Sequence, residues 1–266
     1  MQLHIRHETL YTYEHPVRYS IQTLRLTPRR DPGQRVLSWR IGTPGERLEQ
    51  TDAFGNITHV VTVDGAHREM RIVVEGVAQL EREAAAAEPP SLSPLAYLAA
   101  TPLTRPSAAI LSIAGRSLGA HPPSLESLQE LMTAVRRSVR YVPGATDAEH
   151  SAAEAVDLGE GVCQDQAHVF IACCRSAGVP ARYVSGYFYA GEHPEVASHA
   201  WADAWLGPEL GWVSLDVTHE ELAGHRHCRL AVGRDYLDAA PVRGVRHGGG
   251  DERMHVAVTV AASVQQ

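Results

Sequence analysis

The first eighty residues alternate, and a period of two leaves few folds open to them. Residues 3–13, 21–27, 35–41, 57–63 and 70–77 set apolar and polar side chains roughly by turns, with Asp31-Pro32-Gly33, Thr43-Pro44-Gly45, Phe54-Gly55-Asn56 and Asp64-Gly65 between them. Successive side chains of a strand point to opposite faces, so such runs describe strands with one buried face. Short strands punctuated at regular intervals predict an antiparallel, sandwich-like or barrel-like domain over residues 1–80.

The pattern then changes. Residues 83–90 form an alanine-rich tract ending in Pro89-Pro90, and Pro94, Pro102, Pro106, Pro122 and Pro123 break any long element. We expect a linker with short helical segments over 81–123. A second domain follows over 124–266. It opens with a helix capped by Ser124, whose stripe is Leu125, Leu128, Leu131, Met132, Val135 and Val139. A second helix begins at Cys163 and stops at Gly178 and Pro180. Strands are expected over 181–189, 199–206 and 212–216, and a final one over 255–260. The fold class expected is α+β.

Composition excludes several functions. With 266 residues and 44% hydrophobic content the chain can bury real cores, and with 21% charged residues it is not a disordered polymer. A net charge of -7 offers no basic footprint for nucleic acid or for an anionic membrane. No stretch approaches the roughly 18 apolar residues of a membrane span. The start, Met1-Gln2-Leu3-His4-Ile5-Arg6-His7, lacks the apolar core of a signal peptide, and a cytoplasmic protein is expected. The cysteines Cys163, Cys173, Cys174 and Cys228 suit a reducing compartment and form no disulfide framework.

Cys163 carries the chemistry. It follows Gly159-Glu160-Gly161-Val162, where a glycine stretch gives way to a helical pattern. A free thiol titrates at about 8.5 and is a weak nucleophile near neutrality; helix N-terminal N–H groups and a nearby imidazolium favour its thiolate. The same N–H groups could receive an oxyanion, and the glycines leave room for a substrate carbonyl. His199 opens one strand pattern and Asp216 closes the next. If Leu206-Gly207-Pro208-Glu209 is the turn, Trp205 pairs with Leu210, Trp201 with Ser214, and His199 with Asp216. Cross-strand Cβ atoms are then roughly 4.5–5.5 Å apart, so Asp216 can orient His199 toward Cys163.

Blander readings apply to other residues. Cys173 and Cys174 fit a core stripe. His168 is a possible alternative base, but it lies five residues past Cys163, about 500° around the helix, and points away from the thiol. Trp201, Trp205 and Trp212 suit a sheet core, with Trp201 near enough to wall a site. Asp165 and Asp203 are tuning or capping carboxylates. His225, His227 and Cys228 could bind a metal, but ligand spacing of this kind is weak evidence and an exposed histidine-rich loop is the reading preferred.

The motifs resemble a known family. Gly161-Val162-Cys163-Gln164-Asp165 with Ala167-His168, then Gly178-Val179-Pro180-Ala181-Arg182-Tyr183-Val184-Ser185-Gly186-Tyr187, Ser198-His199-Ala200-Trp201, Gly211-Trp212, Asp216-Val217-Thr218 and Gly233-Arg234-Asp235-Tyr236 are similar to the bacterial transglutaminase-like superfamily. Leu24-Arg25-Leu26-Thr27-Pro28 and Asp52-Ala53-Phe54-Gly55-Asn56 resemble its bacterial N-terminal region. The resemblance implies a papain-like core and a Cys163, His199, Asp216 triad. Val217 stands where the family commonly has proline.

The expected function is thiol-dependent acyl transfer on a peptide or protein amide through a thioester, without metal or organic cofactor. Water as acceptor makes it a protease or amidase, and the reading leans that way. An amine as acceptor makes it a protein-glutamine transamidase. The reading from another class is a non-catalytic binding scaffold of the same fold.

Overall fold

A computed structural model describes residues 1–81, 92–119, 123–191 and 198–263. The whole alanine-rich tract at 83–90, and Pro122, lie outside the described residues. Strands β1 (Gln2–Leu24), β2 (Gln34–Gly42), β3 (Glu46–Thr51) and β4 (Ile57–Leu80) come first. Helices α1 (Ala108–Leu118) and α2 (Leu125–Ser138), strand β5 (Arg140–Tyr141), helix α3 (Ala152–Leu158), strand β6 (Glu160–Gly161) and helix α4 (Cys163–Ser176) follow. Strands β7 (Ala181–Phe188), β8 (His199–Trp205), β9 (Trp212–Asp216), β10 (Glu221–Leu222) and β11 (His227–Gly233) lead to α5 (Tyr236–Ala239), β12 (Val242–Gly248) and β13 (Glu252–Ser263). The class is α+β, as expected.

Among the described residues, β1 to β4 with β12 and β13 make one six-stranded antiparallel sheet. Its axis is two long strands rather than several short ones. β1 pairs with β4 along most of its length, with β13 from Gln2 to Tyr13 and with β12 from Val17 to Leu24. Pro16 does not end β1: the register shifts between Thr12 and Val17, so the strand absorbs the missing N–H as an irregularity and continues. The C-terminal strand, expected within the second domain, therefore closes the first sheet.

The sandwich is also made differently from expectation. The inner face of this sheet carries Leu3, Ile5, Met70, Ile72, Val74 and Val260, and these pack in one cluster with Tyr187, Cys228 and Leu230 of the second sheet. The second layer of the sandwich is thus the sheet of the other domain. That sheet runs β10-β9-β8-β7-β11. Its outer strand β11 is held by two amides of the first domain. Gln34 Nε2 donates to Arg229 O at 2.8 Å while Oε1 accepts from Arg229 N–H at 2.8 Å. Asn56 makes the same pair with Val232, both at 2.8 Å. Each side chain imitates a neighbouring strand, so the sheet edge is capped.

Helices cover the other face. Leu128, Leu131, Met132 and Val135 of α2 are buried with Ile110, Ile113 and Ala114 of α1, around α4 and Ala200, Ala202 and Ala204 of β8. Each of the large side chains stabilises by about 1.5–3 kcal/mol. Helix α1 falls within the stretch expected to be a linker, but its apolar stripe makes it part of the core. Helix α3, capped by Ser151 with Glu154 reaching back, was not foreseen.

Candidate functional site

Helix α4 begins without a capping side chain on Val162. Asp165, in the first turn, supplies one: its Oδ2 accepts from Val162 N–H at 2.7 Å and from Thr146 Oγ1 at 2.5 Å. The carboxylate folds over Gly161, where a Cβ would lie 2.8 Å from it, so only glycine fits. Burial raises the Asp165 pKa against these hydrogen bonds. Gln166 anchors the same turn, donating to Val139 O at 2.8 Å and accepting from Thr218 Oγ1 at 2.7 Å. That second bond fixes the start of α4 against the chain just after β9. Cys163 is half-buried there, its thiol free.

The β8–β9 register differs from the expected one by two residues. Trp205 faces Trp212, Ala204 faces Val213 and Ala202 faces Leu215. Gly207 and Gly211 adopt left-handed φ of 91° and 68°, and Leu206 N–H and Gly211 N–H close a longer loop on Gly211 O and Gly207 O. A shift of two preserves the faces, whereas a shift of one would have reversed them. His199 and Asp216 are consequently diagonal neighbours instead of opposite ones, still within reach of long side chains. His199 Nε2 meets Asp216 Oδ2 at 2.7 Å. The Cys163 side chain lies close enough to His199 to favour the charged form of its ring. The structure thus brings together the three residues chosen from the sequence.

Burial opposes charge on His199, but the hydrogen bond to Asp216 and the nearness of Cys163 outweigh it and raise its pKa to about 10. Burial likewise opposes the Asp216 carboxylate, yet donation from His199, His219 and His227 holds its pKa well below the usual carboxylate range. His219 Nδ1 lies 2.8 Å and His227 Nε2 2.9 Å from the same Oδ2. Phe188 covers the group, stacked on His219 with ring centroids 4.0 Å apart and with the Arg226 guanidinium 4.5 Å from its own centroid. This aromatic lid keeps the dielectric low around the carboxylate, which strengthens its interactions.

His219 and His227 were missed as parts of the site. The histidine-rich segment is not an exposed loop: His227 begins a buried strand. Consecutive strand residues face opposite ways, so His227 turns to Asp216 while Cys228 enters the interdomain core. His225 stays in the preceding connection, and the three do not form a cluster. His199, Asp216 and His227 do bring ligand atoms within 4.8 Å of one another. Their protons do not suit a metal. A ligating Nε2 must be bare, but His227 Nδ1 accepts from Gly224 N–H at 3.2 Å, which leaves the proton on Nε2.

The remaining residues are structural. His168 is fully buried and its Nε2 accepts from Tyr236 N–H at 3.1 Å. Cys173 and Cys174 are core. Asp203 is buried between Arg182 and Arg229, away from the thiol chemistry. Trp201 packs behind His199, and Gly186 makes room for it: a Cβ there would lie 2.5 Å from the indole.

Residues 3–79 match the bacterial transglutaminase-like N-terminal region, and residues 112–217 match the transglutaminase-like superfamily. An uncharacterized protein of Mycobacterium leprae is 30% identical over 282 residues, covering 97% of this chain and 98% of its own length. A protein-glutamine gamma-glutamyltransferase of Pseudomonas aeruginosa is 32% identical over 119 residues, 40% of this chain and 18% of that protein. The crystal structure of a candidate cysteine protease from Cytophaga hutchinsonii superposes with a TM-score of 0.78 at 21% identity, over 100% of this chain and 92% of that one. The chain belongs to the transglutaminase-like superfamily.

Proposed function

We propose that this protein is a thiol-dependent acyl-transfer enzyme acting on amide bonds of a peptide or protein. The observation that carries this is the His199–Asp216 contact at 2.7 Å, with Cys163 at a helix N-terminus near enough to act on the charge of the same imidazole. Cys163 Sγ attacks the amide carbonyl, and His199 manages the proton. The tetrahedral intermediate collapses with loss of the C–N bond, and His199 gives its proton to the leaving amine. A thioester remains. Water or a second amine attacks it, His199 takes the proton from that nucleophile, and the thiol is regenerated. Asp216 keeps Nε2 engaged, which leaves Nδ1 for this work.

Hydrolysis is the reading favoured here. Transfer to an amine is the second, and the partial likeness to a glutamyltransferase is what supports it. Both share the acyl-enzyme. Incubating the protein with glutamine-containing peptides, with and without a fluorescent primary amine, separates them. Cleaved or deamidated product in both conditions supports hydrolysis, and amine incorporation supports transfer. Products that persist in Cys163→Ala would refute the proposal.

A further inference from the structure

Three histidines donate to one carboxylate oxygen, and the proposed reaction needs only one of them. The other two differ. His219 is 35% exposed at its side chain and follows β9 in a turn where the next residue, Glu220, has a φ of 52°. It can leave Asp216 for water. His227 cannot. Its side chain is 2% exposed, and it sits under Phe188, its cross-strand partner, with ring centroids 4.8 Å apart.

Both ring nitrogens of His227 are committed. Nδ1 accepts from Gly224 N–H at 3.2 Å, and the same tight turn is closed from the other side by His227 N–H on Gly224 O at 2.8 Å. An acceptor nitrogen is bare, so in the neutral ring the proton is on Nε2, which faces Asp216 Oδ2 at 2.9 Å. Flipping the ring would forfeit both bonds. A second proton would displace the Gly224 contact and place a cation beside His199, whose ring centroid is 6.2 Å away. The carboxylates nearby are Asp216 and, at 3.9 Å, Glu221.

We propose that His227 is a positioning residue: a neutral donor of fixed tautomer that pins Asp216 Oδ2, so that the carboxylate keeps its aim while His199 moves its proton. This rests on reading the site as an acyl-transfer site. The His219 backbone N–H holds the other oxygen, Asp216 Oδ1, at 3.2 Å, but an Oδ2 with no fixed donor of its own would follow the His199 ring as it gains and loses a proton. One held by His227 as well has a reference point on another strand. His199 is the reacting donor, His219 the exchangeable one and His227 the fixed one.

The test uses the full chain. The ring ¹⁵N shifts of His227 in the native protein, followed from pH 5 to 8, should show a neutral ring with the proton on Nε2 throughout. Titration near pH 6.5, or a proton on Nδ1, overturns the proposal. Alkylation of Cys163 by iodoacetamide at neutral pH is compared in His227→Phe, which keeps a ring and loses the donor, and His227→Gln, which keeps an N–H at similar reach. The Phe variant should be slower by about ten- to a hundredfold, and the Gln variant should recover most of the rate at an unchanged Tm. Equal rates in the two variants overturn the proposal; if the Phe variant does not fold, the ¹⁵N titration decides. His199→Ala keeps the two readings apart. If it leaves the rate unchanged, the acyl-transfer reading fails. If it slows the rate while His227→Phe does not, only the role of His227 fails.

Discussion

Two buried aspartates on one face of the same sheet show what separates a structural carboxylate from a working one. Asp203 and Asp216 are both 0% exposed. Asp203 is held by guanidinium groups: Arg182 Nε donates at 2.8 Å and Arg229 from two nitrogens at 2.5 and 3.1 Å, with Ser214 Oγ at 2.6 Å. Burial would raise its pKa, but Arg229 and Arg182 bring it down to about 2. Asp216 has imidazoles in place of guanidiniums. Arginine cannot give up its proton under any ordinary condition, so the first network stores a fixed charge. Histidine can, so the second can pass a proton on. The fixed network also ties the domains together, since Arg229 reaches Asp31 at 3.4 Å.

The contrast breaks most visibly at the thiol and the two carboxylates. Cys163→Ala should reduce turnover to background with the fold intact, because the thiol is half-buried and its loss opens little space; turnover assays and a melting curve check both halves. Asp216→Asn should lower turnover on the order of 10³–10⁴-fold by upsetting the His199 tautomer. Its stability should fall less than that of Asp203→Asn, because a histidine that loses its counter-charge can shed its proton beside an amide. Asp203→Asn should do the reverse. Buried Arg182 and half-buried Arg229 lose the carboxylate they share, with Asp31 still beside Arg229, at a cost of about 3–5 kcal/mol, read by urea unfolding, while activity per folded molecule stays within a few-fold. Equal losses of stability in the two variants would erase the distinction.

Acid sharpens it. Burial lowers the pKa of His7 to about 4 and of His168 to about 3. The unfolded chain takes up these protons below about 6.5 and the folded chain does not. The contribution of these two histidines should therefore be level above that pH and fall as pH drops toward the folded values, by on the order of 3 kcal/mol for each. Asp203 adds its own loss only below about 4, its unfolded value, as pH falls through about 2. A chemical unfolding series from pH 7.5 to 4 checks the first limb, and His7→Gln should shrink it. The smallest effect is at the interdomain edge: Asn56→Ala leaves Val232 N–H and C=O buried without partners and should cost about 2–3 kcal/mol.

Much of the site could be read from the residues, and what was lost has physical causes. The start of α4 at Cys163 and the limits of β9 followed from glycine punctuation and apolar periodicity, which are local. Face parity survived a wrong register because two residues are one strand period. The loop itself was misjudged, since two left-handed glycines, Gly207 and Gly211, allow a longer connection than the compact turn assumed. The cluster of His225 and His227 suggests an exposed loop, and that hides the strand that starts at His227. The run Cys228-Arg229-Leu230-Ala231-Val232 after it carried a strand signal that could have corrected this. The pairing of β13 with β1 has no local signal at all: both read as strands, and only the tertiary fold chooses the partner.

The central claim is that Cys163, His199 and Asp216 act as one unit, and the most direct test is the rate of Cys163 alkylation at neutral pH in His199→Ala, Asp216→Asn and the double variant. Parts of one device do not lose function independently, so each single change should slow the reaction and the double should be no slower than the worse single. A rate unaffected by His199→Ala, or losses that multiply in the double variant, would contradict it.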